Sequence, residues 1–237
     1  MPQIKKLSEK KFVDRLEEKF LSEGFLTTRE VDVGHGVADL VLINKKNVNK
    51  KKLIKRKTYN QNKKLLHQKY FEILEYIPDL NSKINRKKIV IDALLKKVGV
   101  SKPYLKYHFL KFLEENNFIK KDKNNYYFKI NGWIPLAKNT IAIEAKLKNW
   151  KRGFYQANRY KAFAYKSYLA IPFNISHLVD KSLFIKHNIG LIFFNVYDGK
   201  KEIVFEPRNR KPSNRYMANM AIEYFWGNNI LKKLSSI

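Results

Sequence analysis

Glu144, Ala145 and Lys146 close a short apolar run, Thr140 to Glu144, and set an acid and an ammonium two positions apart. Side chains alternate along an extended strand, so Glu144 and Lys146 point to the same face. Charge at the mouth of a mostly buried strand is costly to desolvate, and groups held there are candidates for chemistry. Asp39 raises the same question. It interrupts GVADLVLI, in which Val37, Leu40, Val41 and Leu42 otherwise read as buried strand. Carboxylate oxygens are hard donors that suit Mg²⁺, and a lysine beside them can orient or help deprotonate a water. The structural alternative for Asp39 is a β-bulge or an edge-strand charge.

Both positions need a sheet to bring them together, and the flanking patterns supply one. Ser8 to Gly24 has apolar residues at Phe12, Val13, Leu16, Phe20 and Leu21, the spacing of an amphipathic helix with Ser8 as N-cap and Gly24 as stop. Phe25 to Val33 and Val37 to Ile43 form a hairpin around Gly34-His35-Gly36. After the strand that ends in Glu144 come a polar turn with Trp150, a helix to about Lys166, and a strand from Tyr168 to Pro172. Phe173 to His187 reads as a helix. Ile189 to Val196 reads as a buried strand paired with Lys201 to Phe205 through Asp198-Gly199. A basic linker, Pro207 to Pro212, precedes a last helix, Asn214 to Leu234. The order is αβββαβ followed by αββ, an α/β class with a mixed central sheet flanked by helices.

Asp39 and Glu144 are 105 residues apart, and the stretch between their strands carries readable elements of its own. Residues 46–64 read as a basic linker or mobile arm. From His67, the residues Tyr70, Phe71, Ile73, Leu74 and Ile77 mark a helix ended by Pro78. Lys87 to Lys97 is a short helix. Val98 to Pro103 is a tight turn with Ser101 as N-cap, and Tyr104 to Asn116 is a second helix. Phe118 to Lys121 and Tyr126 to Ile130 are two short strands around a polar turn, and Trp133-Ile134-Pro135 returns the chain to the first sheet. This order resembles a winged helix-turn-helix. The resemblance implies that Lys102, Tyr104, Lys106, Tyr107 and His108 lie on or near a DNA-facing side, with Leu105, Phe109, Phe112 and Leu113 as the core stripe. The expected domains are 1–45 with 131–237, and 65–130 inserted between them.

Glu144-Ala145-Lys146 after an apolar strand, then Gln156-Ala157-Asn158-Arg159-Tyr160 on the following helix, resembles the PD-(D/E)xK nuclease superfamily, whose RecB-like branch carries a QxxxY helix motif. The resemblance implies a restriction-endonuclease-like core, with Asp39 as the superfamily aspartate and Ala38 where proline often stands. It implies Mg²⁺, with Mn²⁺ as a substitute, held by Asp39, Glu144 and the Ala145 carbonyl. Lys146 then acts on the attacking water, Gln156 orients the site, and Tyr160 contacts the nucleic-acid backbone. The first helix often adds an acid in this superfamily; Glu9, Glu17 and Glu18 are available, and Glu17 borders the buried stripe most closely. Trp150, Lys151 and Arg152 form an aromatic and cationic group suited to a base and its phosphates. Helix packing is the alternative for Gln156 and Tyr160, and a packing plug for Trp150.

The composition agrees with a polyanion partner. Lys and Arg number 49 against 21 acids, a formal charge of +28, and phosphate neutralisation releases counterions whatever the sequence. An AT-rich genome is the bland account of the lysine content. Absence of cysteine excludes disulfides and zinc-thiolate sites. The five histidines have no metal-site spacing, and no glycine-rich phosphate loop occurs. No membrane-length apolar run or signal segment is present, so a soluble, cytoplasmic protein is expected. The resulting expectation is a metal-dependent deoxyribonuclease acting on duplex or branched DNA, with a homodimer as one way to cut both strands. The alternatives are an inactive DNA-binding regulator on a nuclease-like fold and an RNA-processing nuclease.

Overall fold

The computed structural model describes residues 7–80, 89–131 and 135–234. Its strands, in chain order, are β1 (Phe25–Asp32), β2 (Val37–Asn44), β3 (Ile119–Lys121), β4 (Tyr127–Lys129), β5 (Ile141–Ala145), β6 (Lys166–Pro172), β7 (Gly190–Phe194) and β8 (Lys201–Phe205). The chain divides into two compact units. One is the chain up to Val48 with Ala137–Ala221, and the other is Asn49–Leu136 with the chain from Ile222.

The first unit is an α/β layer structure built on a mixed sheet of six strands, in the order β1-β2-β5-β6-β7-β8. The central pairs β5-β6 and β6-β7 are parallel, and the outer pairs are antiparallel. Helix Glu9–Ser22, capped by the Ser8 hydroxyl, packs Phe12, Leu16 and Phe20 on one face, against Leu40, Ile143, Tyr168 and Ile192. Helices Trp150–Arg159 and Lys181–His187 bring Phe154, Ala157 and Phe184 to the other face, against Leu169, Ile171, Leu191 and Phe193. The two-residue alternation of β5 thus sends Ile143 and Ala145 to one layer and Glu144 to the other.

The second unit is mainly helical. Helix Ile91–Val98 ends at Gly99, whose φ of +63° supplies the left-handed stop, and the Ser101 hydroxyl caps the next helix. That helix runs through Lys102–Tyr104, a π segment Leu105–Leu110, and Lys111–Glu115. Leu105, Phe109 and Leu113 are buried, and Lys102, Tyr104, Lys106, Tyr107 and His108 are exposed. β3 and β4 pair antiparallel around a turn in which the Asp122 carboxylate accepts from the Asn124 and Tyr126 amides.

Several expectations are corrected. Residues 46–64 are not a linker: Asn49 caps helix Lys50–Thr58, which buries Lys52, Leu53 and Arg56 within the second unit. The Arg56 guanidinium forms a two-pronged ion pair with Glu223, at 2.6 and 2.7 Å, and lies 4.5 Å from the Trp226 ring centre. That pairing places the chain from Ile222 in the second unit rather than in the first. Phe173 to His187 is broken into a 3₁₀ segment, Phe173–Leu178, and a helix that starts after the Asp180 cap. The last helix is split into Arg215–Gly227 and Ile230–Leu234. The start of the expected helix at Lys87, and Trp133-Ile134, lie outside the described residues. Among the described residues, no helix is long and apolar enough to cross a membrane.

Candidate functional site

The antiparallel register of β2 and β5, with Val41 opposite Ala142 and Leu40 opposite Ile143, places Asp39 and Glu144 alongside one another just past the last paired residues. The Ala145 amide donates to Asp39 Oδ2 at 2.8 Å, which ties the first carboxylate to the strand that carries the second. Glu144 is buried, and Lys146 Nζ lies 2.7 Å from its Oε1. The same ammonium donates to the Ala145 carbonyl at 3.3 Å. The ammonium is thus shared between the buried Glu144 carboxylate and the Ala145 carbonyl. Asp39, Glu144, Ala145 and Lys146 are therefore brought together from positions more than a hundred residues apart.

The electrostatics follow from two acids sharing one ammonium. Burial pushes the Glu144 carboxyl above its ordinary range, and Asp39 adds to the push; Lys146 and Tyr160 offset only part of it. Burial also raises Asp39, against the opposing pull of the Ala145 amide and Lys146. For Lys146, burial works against the charge, but Glu144, Asp39 and Glu9 outweigh it and keep the ammonium protonated.

Tyr160 is corrected from a surface contact to an internal one. It is fully buried, its hydroxyl donates to the Val37 carbonyl at 2.6 Å, and the same oxygen is within hydrogen-bond reach of Glu144 Oε2. A phenol has one proton, so serving both acceptors requires a proton on Glu144 or one shared between them. The raised Glu144 carboxyl is in keeping with this. Gln156 makes no hydrogen bond to Asp39, Glu144 or Lys146; its amide oxygen is buried without a donor. Trp150 packs 6.3 Å from Phe184 in the layer beneath the sheet, with the Lys151 ammonium over its ring, while Lys151 and Arg152 are exposed.

Glu17 is placed elsewhere. It accepts from Thr27 Oγ1 and pairs with Arg29 of β1. The helix acid that faces the cluster is Glu9, 3.9 Å from Lys146 Nζ. Reading the helix stripe could not decide between them, because the choice depends on where Arg29 lands on the neighbouring strand.

Other relevant residues carried little signal. Glu30, exposed and with φ of +51°, interrupts the β1-β2 pairing opposite Asp39 and adds negative field there. A local sheet irregularity and an unusual carboxylate thus coincide. Gly153 lies beneath the cluster: a Cβ there would sit 2.6 Å from Leu169 Cδ1 and 2.9 Å from Lys146 Cγ. Tyr155 is 68% exposed, with Arg152 and Arg159 on the same helix face, a spacing of three and four that the sequence does contain.

The donor set of two carboxylates and a backbone carbonyl fits a hard divalent cation. Among the described residues, no group of three or more His, Asp or Glu side chains is arranged to hold a metal. No protein-family model, curated protein or solved structure matches this chain.

Proposed function

We propose that this protein is a metal-dependent deoxyribonuclease of the PD-(D/E)xK type, with a restriction-endonuclease-like core and an inserted winged helix-turn-helix that contributes affinity for duplex DNA. The observation that carries the reading is the convergence of Asp39, Glu144 and Lys146 at the ends of the adjacent strands β2 and β5, with Glu144 buried. Buried charge of this kind is a net cost to folding, which favours a role in chemistry. Asp39, Glu144 and the Ala145 carbonyl would hold Mg²⁺. When bound, the ion polarises the phosphate and lowers the pKa of a water. Lys146 neutralises the same oxygens before metal arrives, then orients the attacking water and stabilises charge on the phosphoryl oxygens. Asp39 is fixed by the Ala145 amide, and Tyr160 fixes Glu144 from the opposite side. Exposed Arg152, Tyr155 and Arg159 follow the phosphate backbone.

The exposed Lys106, Tyr107 and His108, on a helix after a glycine turn, support the DNA-binding half of the reading. A second reading, a DNA-binding regulator without catalysis, draws on the two-carboxylate count at the cluster. Supercoiled plasmid incubated with Mg²⁺, Mn²⁺ or EDTA separates the two. Nicking or linearisation that disappears in EDTA, in Asp39→Ala and in Lys146→Ala is the expected result. No cleavage, with a salt-sensitive gel shift unchanged by both variants, would establish the regulator instead. A matched RNA substrate tests the sugar preference.

A further inference from the structure

We infer that a cavity at the carboxyl ends of the central strands, lined in part by the residues that follow Lys146, is a nucleobase site, which takes one unstacked base of the bound strand. The choice of ligand rests on the nuclease reading above; the cavity is a separate feature. Its volume is about 420 Å³, within the roughly 300–1,000 Å³ of small-molecule sites. It lies at the carboxyl ends of β5, β6 and β7, the edge where open α/β sheets bind ligands. Pro172 and Phe194 end their strands there, and Leu147 and Lys148 directly follow Lys146. Leu7 closes the cavity two residues before Glu9, whose carboxylate faces Lys146. Two of the cavity's four chain segments thus adjoin cluster residues in the sequence.

The lining has the chemistry of a flat, uncharged ring attached to phosphates. The floor is apolar, aromatic groups come from Phe173, Phe194 and Tyr197, and the exposed Lys148 stands at the rim. Tyr197 is 73% exposed, an unfavourable place for an aromatic ring in water. It is not a slack loop residue. Asn195 Oδ1 accepts from the Tyr197 amide at 3.0 Å, Asn195 Nδ2 donates to Asp198 at 2.8 Å, and Gly199 closes the turn at φ of +71°. The turn uses up the Asn195 amide and holds Tyr197 out. The exposed side-chain amide of Asn174 makes no hydrogen bond among the described residues and is free to meet the edge of a base. Stacking on an aromatic with a cation at the phosphate is how single strands are held without sequence preference.

The test uses the full chain in EDTA, so that nothing is cut. A single-stranded oligodeoxynucleotide carrying 5-iodouracil is irradiated and the crosslinked peptide identified. Attachment at Phe173 or Tyr197 is expected; attachment only at other exposed aromatics, such as Tyr155 or Tyr107, would overturn the proposal. In parallel, Tyr197→Ala is expected to weaken binding of the intact oligonucleotide about tenfold and to leave binding of an abasic strand of equal charge unchanged. An equal loss for both strands would also overturn it. The plasmid assay keeps the readings apart: cleavage without the crosslink removes the base site alone, and the crosslink without cleavage removes the nuclease alone. The same oligonucleotide as RNA identifies the source of the base.

Discussion

Asp39 combines two roles that are separable by one atom. Its Oδ2 holds the Ala145 amide, and its charge crowds Glu144. Asp39→Asn keeps an acceptor and deletes the charge. Plasmid cleavage is expected to fall at least a hundredfold. The melting temperature is expected to stay level or rise by about 2–4 °C, the shift that roughly 1 kcal/mol produces in a chain of this size. A melting temperature that fell with activity would make Asp39 a structural residue.

Lys52 supplies a pH signature within the second unit. Burial lowers its pKa to about 8. The unfolded chain, with the ordinary value of 10.5, binds that proton more tightly. Stability therefore rises with pH across the interval from about 8 to 10.5, and the burial penalty is fully present below it. Urea unfolding of Lys52→Met against the parent should show the variant's relative advantage shrinking as pH rises from 7 to 10. At this scale the sequence was legible where alternation alone decides, as for Glu144 and Lys146. It was silent where a partner strand decides, as between Glu9 and Glu17.

Gly153 shows what an element needs beyond its pattern. Helix Trp150–Arg159 approaches β5 and β6 so closely that a methyl group would meet Leu169 and the Lys146 stem. Overpacking of this kind costs about 1–3 kcal/mol, and here the yielding atom belongs to the cluster. Gly153→Ala is expected to lower the cleavage rate at least tenfold while leaving DNA affinity in EDTA within twofold. Equal losses in both would mean that the helix, rather than Lys146, had moved. Strand order and the helix layers were readable because apolar periods of two and near 3.6 survive in a lysine-rich chain. Helix Lys50–Thr58 was not, because its stripe consists of Lys52, Leu53 and Arg56. A buried arginine looks like solvated charge until its partner is known.

For the whole molecule, that partner is Glu223. It accepts from both arms of Arg56 and from the Leu65 amide, with neither side chain exposed to solvent. Removing one member of such a pair typically costs about 3–5 kcal/mol, whereas apolar replacement of both is often neutral. Glu223→Gln should unfold the second unit at markedly lower urea, monitored by Trp226 fluorescence. The double variant Arg56→Met with Glu223→Leu should recover most of the loss. Equal instability of single and double variants would assign the effect to packing. No composition or motif announces this contact, since its members are 167 residues apart.

That separation is also an interval of time. At roughly 5–20 residues per second of synthesis, Arg56 is made about ten to thirty seconds before Glu223. Until then helix Lys50–Thr58 has a cation to bury and nothing to bury it with. The middle of the nascent chain must wait in an open state, and chaperone occupancy during translation is expected to concentrate there.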